Sequence, residues 1–247
     1  MKRVFLKTNN KIGRQVMMFP YLGGSGTSLM KLAKELDKKS DYEIFVVFPP
    51  GHMGSNRKLY NNLHDLLEFY YIQIKEILKP GCIFFGHSMG GVIAYFLARK
   101  LCILDRELKP KYIILSAAPS PDFMLGRNLS DSDDTVLLKD MEELGGLPED
   151  LLENRELLDY FIPIFRADYK ILEDAAQVSP QLINIPVKFI WCYNDKMVQS
   201  EKLIGWRKYF NEISVFRTMP VDAGHMYLNT NAKLVADMIH DYIGEQE

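Results

Sequence analysis

Residues 82–101 read Cys-Ile-Phe-Phe-Gly-His-Ser-Met-Gly-Gly-Val-Ile-Ala-Tyr-Phe-Leu-Ala-Arg-Lys-Leu. Cys82 to Phe85 is a short apolar run with the character of a buried strand, and Val92 to Leu101 has the length and composition of a buried helix. Between them lies Gly86-His87-Ser88-Met89-Gly90-Gly91, a GxSxGG motif. A serine on so tight a strand-to-helix turn needs small neighbours, and the helix below it offers unpaired N–H groups and a partial positive charge. The motif therefore reads as a nucleophile elbow centred on Ser88. A glycine-rich turn carrying a passive serine is the alternative.

The same rhythm extends outward. Val16 to Phe19 reads as a strand that runs into the glycine-rich turn Pro20 to Gly26. Thr27 to Leu36 then has helical apolar spacing at Leu29, Leu32, Ala33 and Leu36. Ile44 to Phe48 is a strand stopped by Pro49-Pro50-Gly51, and Leu63 to Leu78 a helix ended by Pro80-Gly81. Tyr112 to Ser116 and Val187 to Tyr193 read as strands, and Lys233 to Ile243 as a closing helix. Continuously apolar strands alternating with helices predict a mostly parallel sheet covered on both faces. Together with the elbow this predicts an α/β-hydrolase fold. Residues 121–178 interrupt the alternation with polar, helix-rich sequence and are expected to form a helical lid inserted into a single domain; plain crossover helices are the alternative.

A serine hydroxyl is a weak nucleophile, so Ser88 needs a base and the base an orienting acid. The chain order expected for this fold is Ser, then Asp or Glu, then His. His225, in the loop Asp222-Ala223-Gly224-His225-Met226, is the expected base, and His240 inside the last helix is expected to be a surface or packing residue. Asp195 is the expected acid because it follows the strand Val187 to Tyr193, at the sheet edge where ligands gather. Asp222 and Asp168 are rivals, whereas Glu173 and Asp174 read as a solvated helix face. The backbone N–H groups of Met89 and Leu22 are the expected oxyanion donors. Leu137, Met141, Leu157, Phe161 and Ile164 are candidates to line an acyl slot or to pack against the core. His87 is expected to make local contacts, and His52 is given no role.

Composition bounds the rest. The 247 residues suit one domain, with 47% hydrophobic and 25% charged residues. A formal charge of −2 and a pI near 6.2 argue against nucleic acid as a ligand. Cys82, Cys102 and Cys192 form no CxxC pair and have no metal-ligand spacing. With no apolar leader and no apolar run of about 18 residues, the chain is expected to be cytoplasmic, without a membrane span. Neither metal nor cofactor is expected, and a monomer is.

At these residues the chain resembles the type II thioesterases of nonribosomal peptide and polyketide synthases. The resemblance runs through Phe19 to Ser25, Phe48 to Gly51, Phe85 to Gly91, Ser116 to Ser120 and Leu144 to Leu147. It continues through Ile164 to Tyr169, with its Arg-Ala-Asp-Tyr segment, then Asp195 to Val198, Trp206 and Gly224-His225. It implies a Ser88–His225–Asp195 triad that hydrolyses acyl thioesters held on the phosphopantetheine arm of acyl or peptidyl carrier domains, its partners. The chain departs from that family at Tyr21, where histidine is common, at Leu22, where a small residue is usual, and after the second strand. There the family's glycine and arginine give way to Pro50-Gly51-His52-Met53, with Arg57 displaced. A free-standing esterase, an acyltransferase or cyclising thioesterase, and a carrier-binding protein with a retired site are the other readings.

Overall fold

The computed structural model describes residues 4–145, 147, 154–218 and 223–244. Seven strands form one sheet: β1 (Phe5–Lys7), β2 (Gln15–Phe19), β3 (Glu43–Val47), β4 (Ile83–His87), β5 (Tyr112–Ser116), β6 (Val187–Trp191) and β7 (Ile213–Thr218). Their order is β1-β3-β2-β4-β5-β6-β7. β1 runs antiparallel to β3 and every other pair is parallel. The expected strands are all present. β1 and β7, at the two edges, were not anticipated.

Alternation along each strand divides the core in two. Val16 and Met18 of β2, Ile83 and Phe85 of β4, and Tyr112 and Ile114 of β5 pack with α1 (Met30–Asp37) and α7 (Ala232–Gly244) on one face. Met17, Phe19, Phe84, Ile113 and Leu115 turn to the other face, against α2 (Leu63–Ile74) and α3 (Met89–Leu104). Both faces are buried, which is why these strands carry almost no polar residue. Each fully buried Leu, Ile or Phe contributes on the order of 1.5–3 kcal/mol, set against the entropy of ordering the chain.

Between β5 and β6 the chain leaves the sheet and forms α4 (Asp134–Glu143) and α5 (Arg155–Gln177) before returning. The short α6 (Ser200–Ile204) follows β6. Asn154 caps α5 by accepting the Leu157 N–H at 3.2 Å. Phe165, Asp168, Tyr169, Leu172 and Glu173 recur at three- and four-residue spacing and so share the face that α5 turns inward.

Glu173 is not on a solvated face, as the sequence suggested, but buried. Its carboxylate accepts the Ser130 N–H at 3.0 Å and the Ser130 hydroxyl at 2.5 Å, while the Arg166 guanidinium donates to the Ser130 carbonyl at 2.8 Å. α5 thereby anchors the strand-to-α4 connection. Glu173→Ala leaves two buried donors without an acceptor and is expected to lower stability by about 1–3 kcal/mol. Urea unfolding with an unchanged midpoint would contradict this.

Candidate active site

Ser88 stands between β4 and α3 with φ 52° and ψ −122°, a sparsely populated conformation for a residue other than glycine. Holding it costs on the order of 1–3 kcal/mol and persists only because the surroundings over-determine it. The Ser88 N–H donates to the Ser116 carbonyl at 2.8 Å, and its own carbonyl accepts the Gly91 N–H at 2.9 Å. Gly90 must be glycine, since a Cβ there would lie 2.2 Å from the Phe19 carbonyl oxygen. That close approach seats the start of α3 directly against the end of β2. The helix begins at Met89, three residues earlier than its apolar run suggested, so Met89 is its first residue and its N–H has no intrahelical acceptor.

His225 and Asp195 come to Ser88 from far along the chain. The His225 Nε2 lies 2.9 Å from the Ser88 Oγ, and its Nδ1 lies 2.9 Å from the Asp195 Oδ2. The other carboxylate oxygen of Asp195 accepts the N–H groups of Met197 and Val198 at 2.9 and 3.0 Å. Asp195 and His225 are both buried, which strengthens their interaction. Asp195 accepts from every one of these partners, so the His225 proton sits on Nδ1 and leaves Nε2 free to accept the Ser88 hydroxyl. Asp222, the rival acid beside His225, lies outside the described residues. Asp168, the other rival, is engaged elsewhere.

His87 secures the His225 loop from beneath. Its Nε2 lies 3.1 Å from the His225 carbonyl and its Nδ1 2.9 Å from the Ser116 hydroxyl. Burial, with a smaller contribution from the charge of a protonated His225, pushes its pKa well below the ordinary histidine value; the bond to the His225 carbonyl opposes this. His87 is therefore neutral, donates from Nε2 and accepts the Ser116 O–H. His240 meets the Tyr42 hydroxyl at 2.8 Å on the far side, in the packing role expected of it.

The turn after β2 supplies the opposite wall. The Gly24 N–H donates to the Tyr21 carbonyl at 2.9 Å, and Gly23 has φ +70°, as the third residue of a type II turn requires. A Cβ on Gly23 would lie 2.4 Å from the Phe165 ring. Leu22 and Met89 border the same pocket as Ser88 and His225. The pocket continues from Ser88 between Val92, Phe123, Met124, Leu144, Leu172 and Met197. Its far side carries Asp140, which accepts from the Arg127 guanidinium and the Tyr169 hydroxyl.

Of the two roles the sequence left open for Leu137, Met141, Leu157, Phe161 and Ile164, an acyl slot or core packing, this pocket's lining fulfils the first for none of them. Leu137, Met141 and Ile164 pack in the core, the second of those roles, while Phe161 borders a cavity on the other side of the Leu22 turn and Leu157 is exposed. Helical periodicity identified an apolar face but could not show which part of it meets Ser88. His52, given no role, is buried and paired with Asp168.

This sheet, with its strained serine at the C-terminal edge of a central strand and a histidine from the loop before the last helix, is that of an α/β-hydrolase. The Thioesterase domain family matches residues 14–243, and the chain belongs to that family. The phenyloxazoline synthase MbtB of Mycobacterium tuberculosis (strain CDC 1551 / Oshkosh) is 27% identical over 229 residues, 91% of this chain and 16% of that much longer protein. The probable anguibactin biosynthesis thioesterase AngT of Vibrio anguillarum is 27% identical over 229 residues, covering 90% of this chain and 89% of that one. In fold the chain is similar to the RedJ thioesterase from the prodiginine biosynthetic pathway of Streptomyces coelicolor, with a TM-score of 0.80 and 24% identity over 95% of this chain and 90% of that one. No described helix is long and apolar enough to cross a membrane.

Proposed function

We propose that the protein hydrolyses acyl thioesters carried on the phosphopantetheine arm of carrier domains, and so clears or releases acyl groups in nonribosomal peptide or polyketide synthesis. The observation that carries this reading is the Ser88–His225–Asp195 relay opening on an apolar pocket, in a chain of the thioesterase family. The relatives' names support a thioesterase in a biosynthetic pathway, and the resemblance to type II thioesterases supplies the carrier-bound substrate class.

Ser88 attacks the thioester carbonyl as its proton passes to the His225 Nε2, and the resulting imidazolium is held by Asp195. The carbonyl oxygen becomes an oxyanion between the N–H groups of Met89 and Leu22, where preorganised donors stabilise it more than they do the ground state. Collapse breaks the C–S bond. The leaving thiolate takes up the proton, which a sulfur needs less urgently than an alkoxide oxygen would, and the acyl group stays on Ser88. Water then gives a proton to His225 and adds to the acyl-serine, and the reversed relay returns the proton to Ser88 as the acid leaves. Each step uses side chains and backbone of this chain, with no metal or cofactor.

α4 and α5 take the part of a lid in this reading, since Asp140, Leu144, Tyr169 and Leu172 wall the pocket over Ser88. A lid that opens for the carrier arm exchanges its amide protons faster than β4 and β5 do, and uniform protection through 134–177 would count against it.

The test measures acyl release from a phosphopantetheine-loaded carrier protein, beside the same acyl group on a free small thiol and on an oxygen ester. Preferential Ser88-dependent release from the carrier is expected. Fast ester cleavage with the carrier-bound thioester untouched would replace this reading with that of a general esterase.

A further inference from the structure

Asp168 of α5 and His52 of the loop after β3 meet behind the Leu22 turn, away from Ser88. The Asp168 Oδ2 accepts the Gly23 N–H at 2.7 Å and lies 3.0 Å from the His52 Nε2. The His52 Nδ1 lies 3.2 Å from the Pro50 carbonyl oxygen. Asp168 and His52 are both about 3% exposed, which leaves solvent little part in satisfying them. A carbonyl oxygen and a carboxylate both accept, so each ring nitrogen of His52 must donate. Only the imidazolium carries two N–H groups, so this geometry is that of a protonated histidine.

The bond to Gly23 matters because of what a type II turn can do. Its middle peptide, here between Leu22 and Gly23, is the unit that flips when such a turn converts to type I. Asp168 holds the Gly23 N–H of that peptide, and Phe165, one helical turn earlier on the same face of α5, closes the other side of Gly23. The Leu22 N–H sits one peptide away from this clamp.

We propose that the Asp168–His52 ion pair is the positioning device for the oxyanion hole, and that the protonated state of His52 keeps the Leu22 N–H aimed at the acyl oxygen. Its effect on turnover rests on the role proposed for Ser88; its effect on the turn does not. Neither residue touches the reacting atoms. Where the resembled family has an arginine, whose charge is permanent, this chain carries a group that titrates.

The surroundings of the pair set the direction. Among the described residues, Tyr21, Tyr60 and Tyr70 of α2 line the same cavity as the pair, and Tyr169 of α5 feels the Asp168 charge. Burial first, and the Asp168 charge second, hold the Tyr70 phenol well above its ordinary range, so it stays neutral. For His52 burial alone would lower the pKa, but the Asp168 charge, its hydrogen bond and the Pro50 carbonyl together raise it above the usual 6.5. A raised histidine pKa means the pairing is complete below the ordinary histidine range and is lost as pH climbs through the raised value. Neutral His52 keeps one N–H, and its other nitrogen then faces an oxygen lone pair. The clamp should fail on the alkaline side.

The experiment follows the backbone amide of Gly23 and the His52 ring nitrogens by NMR across pH, with kcat and KM for a small acyl thioester over the same range and the Ser88→Ala rate subtracted. The Gly23 amide is expected to shift with the His52 titration, and kcat to fall at the same point with KM changed little. His52→Arg, whose guanidinium stays charged, should remove that alkaline limb. Asp168→Ala should lower kcat toward the roughly 10²-fold loss that removal of one oxyanion donor causes. A Gly23 amide indifferent to His52, or a His52→Arg profile that keeps the wild-type limb, would overturn the proposal, even if Asp168→Ala failed to fold. A Gly23 amide that follows His52 in a protein hydrolysing no thioester would support the clamp and remove the proposed function.

Discussion

Ser88→Ala is expected to lower thioester turnover by about 10⁶, the loss seen when the nucleophile of a serine protease triad is removed. The size follows from the relay acting as a unit. Without the hydroxyl no acyl-serine can form, and His225 and the proposed oxyanion donors Met89 and Leu22 can assist only direct attack by water. The residual rate reports that contribution. The fold should survive, because the contacts that force φ 52° at position 88 come from backbone: the Ser88 N–H to Ser116 and the Gly91 N–H to Ser88. Stability by urea unfolding is expected to stay within about 1 kcal/mol of wild type. Turnover near wild type in a folded variant would dismiss Ser88 as nucleophile and return it to a passive serine on a glycine turn.

The centre of the sheet was legible because burial on both faces makes strand and helix runs apolar without interruption. β2 to β6 announce themselves in this way, and the glycine spacing around Ser88 marks the turn joining β4 to α3. The edges lacked that signal. β1 has only the three residues Phe5–Lys7, one exposed to solvent, and β7 reads Ile-Ser-Val-Phe-Arg-Thr, a mixed pattern. An edge strand has one neighbour and tolerates polar residues that an inner strand excludes.

Ser88, Asp195 and His225 were legible for a different reason: each lies at the end of a strand or before a helix, where chain order limits the choices. His52 and Asp168 had no such marker. Their partnership spans 116 residues and depends on how α5 crosses the turn after β2, which local sequence does not encode. Glu173 was misread by the same route, because its acceptor role becomes visible only once Ser130 is brought beneath α5. A carboxylate at helical spacing reads as solvated until its distant donors are known. The signal available in hindsight is the spacing Phe165, Asp168, Leu172, which puts a carboxylate on the apolar stripe of the helix.

Asp195→Asn is expected to cost about 10⁴ in kcat, the loss produced by the corresponding change in a serine protease. This substitution separates the acid's chemical role from its structural one. One carboxylate oxygen of Asp195 accepts the Met197 and Val198 N–H groups, and an amide oxygen can keep both bonds. The amide nitrogen must then stand where the Asp195 Oδ2 now faces the His225 Nδ1 at 2.9 Å. It has hydrogens to donate and no lone pair to offer, so His225 would accept at Nδ1 and carry its proton on Nε2. That nitrogen meets the Ser88 Oγ and could no longer take its proton. The geometry would be preserved and the tautomer reversed. The measurement is kcat against pH together with ring-nitrogen NMR of His225: a large rate loss with the proton moved to Nε2 supports Asp195 as the orienting acid. A rate within a few-fold of wild type, with the proton still on Nδ1, would assign that role to another acceptor, the first to test being Asp222.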